Sequence, residues 1–173
     1  MMSDEELMLQ FQGGSREAFE ALFSRYQVPL YGFFFRRMLD RNRADDLTQE
    51  TFLALIRHVK DWRPDSSLRA YIFGIASRIA AAERRKQSRD TAPAHRTAAS
   101  VEDPEGAVVV RLALSKLEPG ECEILMLREY EQLSYSEIAE VLQIPVNTVR
   151  SRLFRARMAF KEILEPVKRD ACK

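Results

Sequence analysis

This chain has few of the residues that bind metals or transfer protons. Its 173 residues include only two cysteines and two histidines. Cys122 and Cys172 lie far apart and form no CxxC motif, which argues against a disulfide framework and a zinc site. His58 lies at the end of a predicted helix and His95 in a segment without periodicity, so they form no candidate acid–base pair. We therefore expect no metal, no cofactor and no enzymatic activity.

Long apolar segments are also missing. Apolar runs such as residues 31–35 are much too short to cross a bilayer. The first ten residues, MMSDEELMLQ, are acidic where a secretory signal would be basic. The sequence therefore predicts a cytoplasmic protein without membrane insertion.

Strand patterns are absent as well. No convincing run of alternating β-branched residues occurs, and apolar residues recur instead at the spacing of helices. Residues 88–106, SRDTAPAHRTAASVEDPEG, contain hardly any apolar anchor, and so long an irregular segment is unusual inside a compact domain. The sequence therefore predicts an all-α fold of two small helical domains, residues 1–90 and 108–173, joined by a flexible linker at residues 91–107.

Caps and breakers predict the helices of the first domain. Ser3 begins a first helix, and Gly13 and Gly14 end it. The second helix contains Pro29, which should bend or divide it. A third helix is predicted to begin near Arg43, and a fourth to span residues 68–87. The predicted inward positions are Phe19, Leu22, Phe23, Tyr26, Leu30 and Phe34 in the second helix, Leu47, Phe52, Leu55, Ile56 and Val59 in the third, and Ile72, Ile75, Ala76 and Ile79 in the fourth.

The second domain contains two helices joined by a short turn. Ser134 and Glu137 match a capping box that begins a helix at residues 135–142, and residues 143–145 form a tight turn before a basic helix. Residues 101–140 carry ten acidic and three basic side chains, whereas residues 141–173 carry eight basic and three acidic ones. A helix-turn-helix whose second helix is basic indicates DNA binding.

The basic helix, TVRSRLFRARMAF at residues 148–160, has two different faces. Helical spacing predicts an inner stripe of Val149, Leu153, Ala156, Phe160 and Ile163. The outer side has no acidic residue between 148 and 161, and it carries Asn147, Ser151, Phe154 and Met158, flanked by Arg150, Arg155 and Lys161. A helix that binds along DNA phosphates typically carries only positive side chains on the bound side, as this outer side does. The alternative is that the arginines are only solvated and that Phe154 packs on a neighbouring element.

Three segments of this sequence resemble one protein family. LSYSEIAEVLQIPVNTVRSRLFRAR, at residues 133–157, closely resembles the region 4 helix-turn-helix of bacterial RNA polymerase sigma factors of the extracytoplasmic-function (ECF) group. ADDLTQETF, at residues 44–52, is similar to region 2 of the same group, and LRAYIFGIA, at residues 68–76, to the segment after it. The linker, which contains hardly any apolar anchor, lies where larger sigma factors have a third domain.

The resemblance implies a protein that binds core RNA polymerase, places it on promoter DNA and helps to open the start site. By resemblance, a polar strip on the third helix contacts the polymerase through Asp46, Gln49, Glu50 and Leu53. For the acidic residues at the start of that helix, a solvated helix N-terminus is an equally good explanation. Many relatives are held by an anti-sigma factor, so the resemblance also implies such a partner.

The resemblance also assigns the minus-35 promoter element to the basic helix. Arginine can donate two hydrogen bonds to guanine, and an exposed aromatic ring can contact a thymine methyl group. The predicted base readers are Arg150, Ser151, Phe154 and Arg155, and the predicted phosphate contacts are Asn147, Thr148, Arg152 and Arg157. Pro145 stands where many relatives have a capping serine, so proline's fixed φ is expected to set the first turn.

For the minus-10 element, the resemblance implies that the loop at residues 60–68 captures an unstacked base and that the next helix contacts the nearby strand. The predicted residues are Lys60, Trp62, Arg63, Ser66, Ser67, Tyr71, Arg78, Arg84 and Arg85. Trp62 has two readings, stacking on the base or anchoring the turn in the core, and the second is favoured because an isolated aromatic residue next to a turn usually anchors it. Relatives often carry Trp, Arg and Asn where this chain has Tyr71, Gly74 and Arg78.

Two other classes of protein remain open from the residues alone. A stand-alone helix-turn-helix regulator would bind DNA as a dimer without polymerase. A helical adaptor that binds only protein would leave the acid-free arginine face without a purpose.

Overall fold

The computed structural model describes residues 2–89 and 105–171. The described residues form eight α-helices and no strand, which confirms the all-α prediction. The chain divides into two compact units, Met1–Ala99 and Ser100–Lys173. Most of the predicted linker lies outside the described residues, so the domain boundaries at 90 and 108 stay predictions. Residues 105–107, which were assigned to the linker, are helical.

Four helices and one short 3-10 turn make up the described part of the first unit. The helices are α1 (Asp4–Gln12), α2 (Arg16–Met38), α3 (Arg41–Arg57) and α4 (Leu68–Arg89), and the 3-10 turn at Val59–Asp61 lies between α3 and α4. Side chains cap the first three helices, because the hydroxyls of Ser3 and Ser15 and the carboxylate of Asp40 accept backbone amides of the first turns. Gly14 has a φ of +96°, which lets the chain turn sharply between α1 and α2.

The first unit corrects several predictions about individual residues. Pro29 lies inside one continuous helix and does not divide α2. Helix α3 begins two residues before Arg43, because Asp40 caps it. Phe23 and Ile56, predicted to be inward, are 39% and 42% exposed. Most of the other predicted inward residues are buried. The predicted positions that the structure places in the core are Leu22, Tyr26, Leu30, Phe34, Leu47, Phe52, Leu55, Ile72, Ile75 and Ala76, and the core also contains Met8, Phe33 and Phe73, which were not predicted.

The second unit contains the predicted helix-turn-helix. Its helices are α5 (Glu105–Ser115), α6 (Pro119–Glu129), α7 (Tyr135–Leu142) and α8 (Val146–Ala171). Both hydrogen bonds of the capping box between Ser134 and Glu137 are present at the start of α7. Gln143 adopts a left-handed conformation after α7, and the carbonyl of Pro145 accepts the amide of Val149 at 3.1 Å. The three preceding helices pack against α8 and so fix which side of it faces outward.

One ion pair joins α3 to α4 in the first unit. The guanidinium of Arg43 donates from Nε and Nη2 to the two carboxylate oxygens of Glu83, at 2.8 and 2.6 Å. Glu83 is buried, and Gln87 donates a further hydrogen bond to it at 3.3 Å. The hydrogen bonds from Arg43 lower the pKa of Glu83 below its ordinary value of 4.5.

Replacing Arg43 should therefore destabilise the first unit. The variant Arg43→Met would leave the Glu83 carboxylate buried without its partner, at an expected cost of about 2 kcal/mol in the free energy of unfolding. Because folding lowers the pKa of Glu83, the pair's contribution is present above the ordinary value of 4.5 and is lost as the pH falls through the folded-state pKa. The difference between parent and variant should thus shrink in acid.

Urea unfolding followed by the fluorescence of Trp62, the sole tryptophan, measures this stability in the first unit. Arg16→Met is the matched control, because it removes the pair that Arg16 forms with Glu20, whose side chains are 85% and 61% exposed. Equal losses in the two variants would contradict the assignment.

Candidate DNA-binding and polymerase-binding surfaces

The outer face of α8 is open to solvent. Phe154 and Met158 are 66% and 44% exposed, whereas Val149, Leu153 and Ala156 on the opposite side are buried. Because the ring of Phe154 lies outside the core of its unit, the alternative in which it packs on a neighbouring element is wrong. Asn147, Arg150 and Ser151 lie on the same exposed side. Helix α8 therefore presents a continuous surface of polar, basic and aromatic groups.

The arginines of α8 do not all have the same surroundings. Arg150, Arg152 and Arg155 are exposed, and none of them forms an ion pair with another described residue. Arg157 differs, because it donates to one carboxylate oxygen of Glu129 from Nη2 at 2.7 Å and from Nε at 3.2 Å. These contacts raise the pKa of Arg157 and compensate its charge. Of the two arginines predicted to contact phosphates, Arg157 is therefore weaker than Arg152.

One of the short polar side chains at the start of α8 forms a hydrogen bond within the helix. The hydroxyl of Ser151 donates to the carbonyl of Thr148 at 3.1 Å, which leaves its lone pairs available as acceptors. Thr148 is half-buried, whereas Asn147 is exposed.

Arg128 on α6 donates to the carbonyl of Leu133 at 2.8 Å and so holds the segment before α7 in place.

The loop between α3 and α4 carries the predicted minus-10 residues. Lys60 and Arg63 are exposed, and Ser66 and Ser67 are half-buried. Ser66 donates to the carbonyl of Arg63 at 2.9 Å, and the hydroxyl of Ser67 accepts the amide of Ala70 at 3.2 Å near the start of α4. The charged side chains of this loop therefore face solvent while its serines shape the turn.

Trp62 requires a correction as a DNA-contacting residue. Its side chain is only 2% exposed, so the ring is not available to stack on an extruded base in this structure. The second reading from the sequence, in which Trp62 anchors the turn, describes its position. Tyr71 is also turned partly inward, because its hydroxyl donates to the carbonyl of His58 at 3.1 Å. Burial raises the pKa of Tyr71.

Basic residues follow one side of α4. Tyr71, Arg78 and Arg85 recur every seven residues, which is about two helical turns, so they lie on one face. Arg78 and Arg85 are exposed, and the guanidinium of Arg78 lies over Gly74, with Nη1 3.8 Å from where a Cβ would be. Arg84 is exposed but is rotated from Arg85 by about 100° around the helix. The structure therefore does not bring Arg84 onto the same face.

The predicted polymerase-binding strip of α3 faces solvent. Asp46, Gln49 and Glu50 are exposed, and Leu53 is 52% exposed. Gln49 donates to the carboxylate of Asp45 at 3.1 Å, and Asp46 lies 3.6 Å from Arg43. The strip also includes exposed Ile56, which adds a second apolar side chain to it.

Sequence reasoning missed a groove that adjoins this strip. The groove has a volume of about 310 Å³ and lies between α2 and α3. Phe23 and Val28, which line it from α2, are 39% and 71% exposed. Phe23 had been assigned to the core, and no signal in the sequence separates it from the buried phenylalanines around it. The exposed side of this helix pair therefore combines carboxylates with apolar side chains. The residues lining the groove are Phe23, Gln27, Val28, Tyr31, Asp45, Thr48 and Gln49.

A helix-turn-helix whose second helix presents exposed arginines on its outer face is typical of DNA-binding proteins. Residues 22–90 match the family described as Sigma-70 region 2, and residues 107–160 match Sigma-70, region 4. The chain is 33% identical to the RNA polymerase sigma-H factor of Pseudomonas aeruginosa over 97% of both chains. It is 34% identical to the ECF RNA polymerase sigma factor SigC of Mycobacterium tuberculosis over 95% of both chains.

Among solved structures, the chain is similar to CnrH in complex with the cytosolic domain of CnrY. The TM-score is 0.74, the identity is 26%, and the match covers 94% of this chain and 97% of that one. The chain therefore belongs to the RNA polymerase sigma factors of the ECF group. As a sigma factor, it binds core RNA polymerase and directs promoter-specific initiation of transcription, which excludes the reading as a stand-alone dimeric regulator.

Sigma factors are initiation factors, not catalysts. In the part of the chain that the structure describes, no helix is both long enough and apolar enough to cross a membrane.

Proposed function

We propose that the outer face of α8 reads the minus-35 element and that the first unit binds both core polymerase and the minus-10 element. The observation that carries this proposal is the exposed, acid-free face of α8, on which Arg150 and Arg155 flank Phe154. Arg150, Ser151, Phe154 and Arg155 are the base readers in this arrangement. Asn147, Thr148 and Arg152 fix the register on the phosphates, and Arg157 contributes only where a phosphate displaces Glu129.

Polymerase binding is assigned to the exposed strip of α3. Asp46, Gln49 and Glu50 supply polar contacts, and Leu53 supplies apolar surface. An interface needs a desolvated apolar centre with a polar rim, and this strip combines the two. The adjoining groove between α2 and α3 extends the apolar part through Phe23 and Val28.

The minus-10 element is assigned to the loop at residues 60–68 and to one side of α4. Lys60 and Arg63 in the loop, with Arg78 and Arg85 on the helix, offer exposed positive charge to the strand. Capture of one unstacked base contributes roughly 1–3 kcal/mol, which is comparable to the cost of unpairing it. Binding energy can therefore drive opening without ATP. Ser66, Ser67 and Tyr71 shape the loop and the start of α4.

The chain itself performs no catalysis in this proposal, because the polymerase supplies the chemistry. It acts in the cytoplasm, where the promoters and core polymerase of its relatives are found. We also propose an anti-sigma factor as a partner. The similar structure of CnrH is a complex with the cytosolic domain of CnrY, and the exposed apolar groove of the first unit offers a surface of the kind that binds a protein partner.

Arg150→Ala tests the minus-35 assignment. Loss of a bidentate contact to a base should cost about 1–3 kcal/mol in promoter recognition and relax specificity at one or two base pairs. Arg152→Ala, as a predicted phosphate contact, should instead weaken all promoters about equally. Run-off transcription with core polymerase on a library of minus-35 variants measures both effects. Unchanged promoter choice by Arg150→Ala would remove the assignment.

Replacing Gln49 and Glu50 together by alanine tests the polymerase-binding strip. The double variant should compete poorly with the parent for core polymerase, because it removes two polar contacts of the rim. Helical content and thermal unfolding should stay unchanged, since both side chains are exposed. A double replacement of exposed Gln10 and Glu20 by alanine is the control. If the Gln49 and Glu50 variant competes as well as this control, the strip has been misassigned.

Purification from the native host tests the anti-sigma proposal. The chain should elute with a second protein that lowers promoter-specific transcription when it is added back to sigma factor and core polymerase. Recovery of polymerase alone would argue against such a partner.

A further inference from the structure

Helix α1 lies outside the segment that matches sigma region 2, which begins at residue 22. It nevertheless contacts the loop to which we assign the minus-10 element. The side-chain amide of Gln12 donates two hydrogen bonds, to the carbonyl of Val59 at 2.7 Å and to the carbonyl of Trp62 at 3.0 Å. One side chain at the end of α1 therefore holds two points of a loop that lies about fifty residues further along the chain.

The same helix also holds the far end of the loop. The carboxylate of Glu5 accepts the backbone amide of Leu68, the first residue of α4, at 3.3 Å. The first amides of a helix have no partner within the helix, so an acceptor from elsewhere stabilises the point at which the helix begins. Gln12 and Glu5 thus fix both sides of the segment that contains the exposed Lys60 and Arg63.

Helix α1 is itself firmly attached to the first unit. Leu7 and Met8 are buried, and the carboxylate of Asp4 accepts hydrogen bonds from Arg25 and Tyr26 of α2. Because α1 is also anchored to α2 through these contacts, it can serve as a support for the loop.

The conformation of Trp62 depends on this support. Its ring is buried, but its Nε1 has no hydrogen-bond partner among the described residues, so burial of that polar group weakens the position. The backbone carbonyl of Trp62 is held by Gln12, and the start of the turn is held by the hydrogen bond from Tyr71 to His58. Removing the donor at Gln12 should therefore release the segment around Trp62.

We propose that α1 is a positioning element for minus-10 recognition, with Gln12 and Glu5 as its positioning residues. This inference rests on the proposed role of the loop. A loop that is already held in its binding conformation loses less entropy when it captures a base, so the support increases the binding energy available for opening DNA. The residues act through the loop and do not contact DNA.

Gln12→Glu is the most direct test, because it keeps the size of the side chain and replaces the amide donor by a carboxylate facing two carbonyls. Gln10→Glu, the same change at an exposed position of α1, is the matched control. The fluorescence of Trp62 in the full chain reports the loop independently of activity. Gln12→Glu should shift the emission to longer wavelength and increase quenching by acrylamide, and Gln10→Glu should do neither. Gln12→Ala serves in the same way if the glutamate variant does not fold.

The functional measurement uses holoenzyme on promoters with substitutions at each minus-10 or minus-35 position. Gln12→Glu should lower open-complex formation roughly three- to tenfold and reduce discrimination among minus-10 variants. Affinity for core polymerase and discrimination among minus-35 variants should match the Gln10→Glu control. A general loss of stability would affect all of these quantities together.

A double replacement of Lys60 and Arg63 by alanine tests the proposed role of the loop separately from the proposed role of α1. These two side chains offer charge to the strand and not base readout, so their loss should slow open-complex formation on all promoters. If this loop variant forms open complexes as fast as the parent, the proposed role of the loop is wrong. If it forms them more slowly while Gln12→Glu behaves like Gln10→Glu in both assays, the loop assignment stands and the role of α1 is overturned.

Discussion

The functional surfaces of the second unit depend on the burial of one stripe of α8. Val149, Leu153 and Ala156 are almost completely removed from water, and this fixes the rotation of the helix about its own axis. Because the helix has 3.6 residues per turn, this rotation places Arg150, Phe154 and Arg155 on the outer side of α8. The same packing that stabilises the unit therefore determines which side chains can enter a DNA groove. A substitution in the buried stripe would therefore rotate or loosen the exposed face of α8 without changing any residue on that face.

This dependence explains why the second unit could be predicted well from the sequence. Its helices are bounded by local signals, such as the capping box at Ser134 and Glu137, and its amphipathic pattern has a single consistent phase. The first unit was harder to predict. It has an unusual number of phenylalanines, and periodicity alone did not show that Phe23 lies at the rim of a groove while Phe33 and Phe34 lie in the core. The rotation of α2 depends on three partners, and a single-helix pattern does not contain their positions.

Contacts that join distant segments were the other features that the sequence did not reveal. Gln12 reaches Val59 and Trp62, and Arg43 reaches Glu83, across 40 to 50 residues. Neither contact produces a recognisable local pattern in the sequence, because a glutamine at the end of a helix and an arginine near the start of one are common on solvated surfaces. The support of the loop at residues 60–68 is thus a tertiary property. The resemblance named the loop, but only the structure shows that the first helix holds it.

The distribution of charge places a limit on how such a protein can find DNA. The formal net charge of the whole chain is only +1, so its overall field gives little long-range attraction to a polyanion. Positive charge is concentrated on α8 and along one side of α4, and one of the arginines on α8 is already compensated by Glu129. Few uncompensated arginines mean few released counterions, and therefore weak binding to DNA of arbitrary sequence. In the proposal that Arg150 and Arg155 read bases, this reading becomes effective once the polymerase supplies the remaining affinity. Such behaviour is required of a subunit that selects promoters for an enzyme rather than occupying DNA alone.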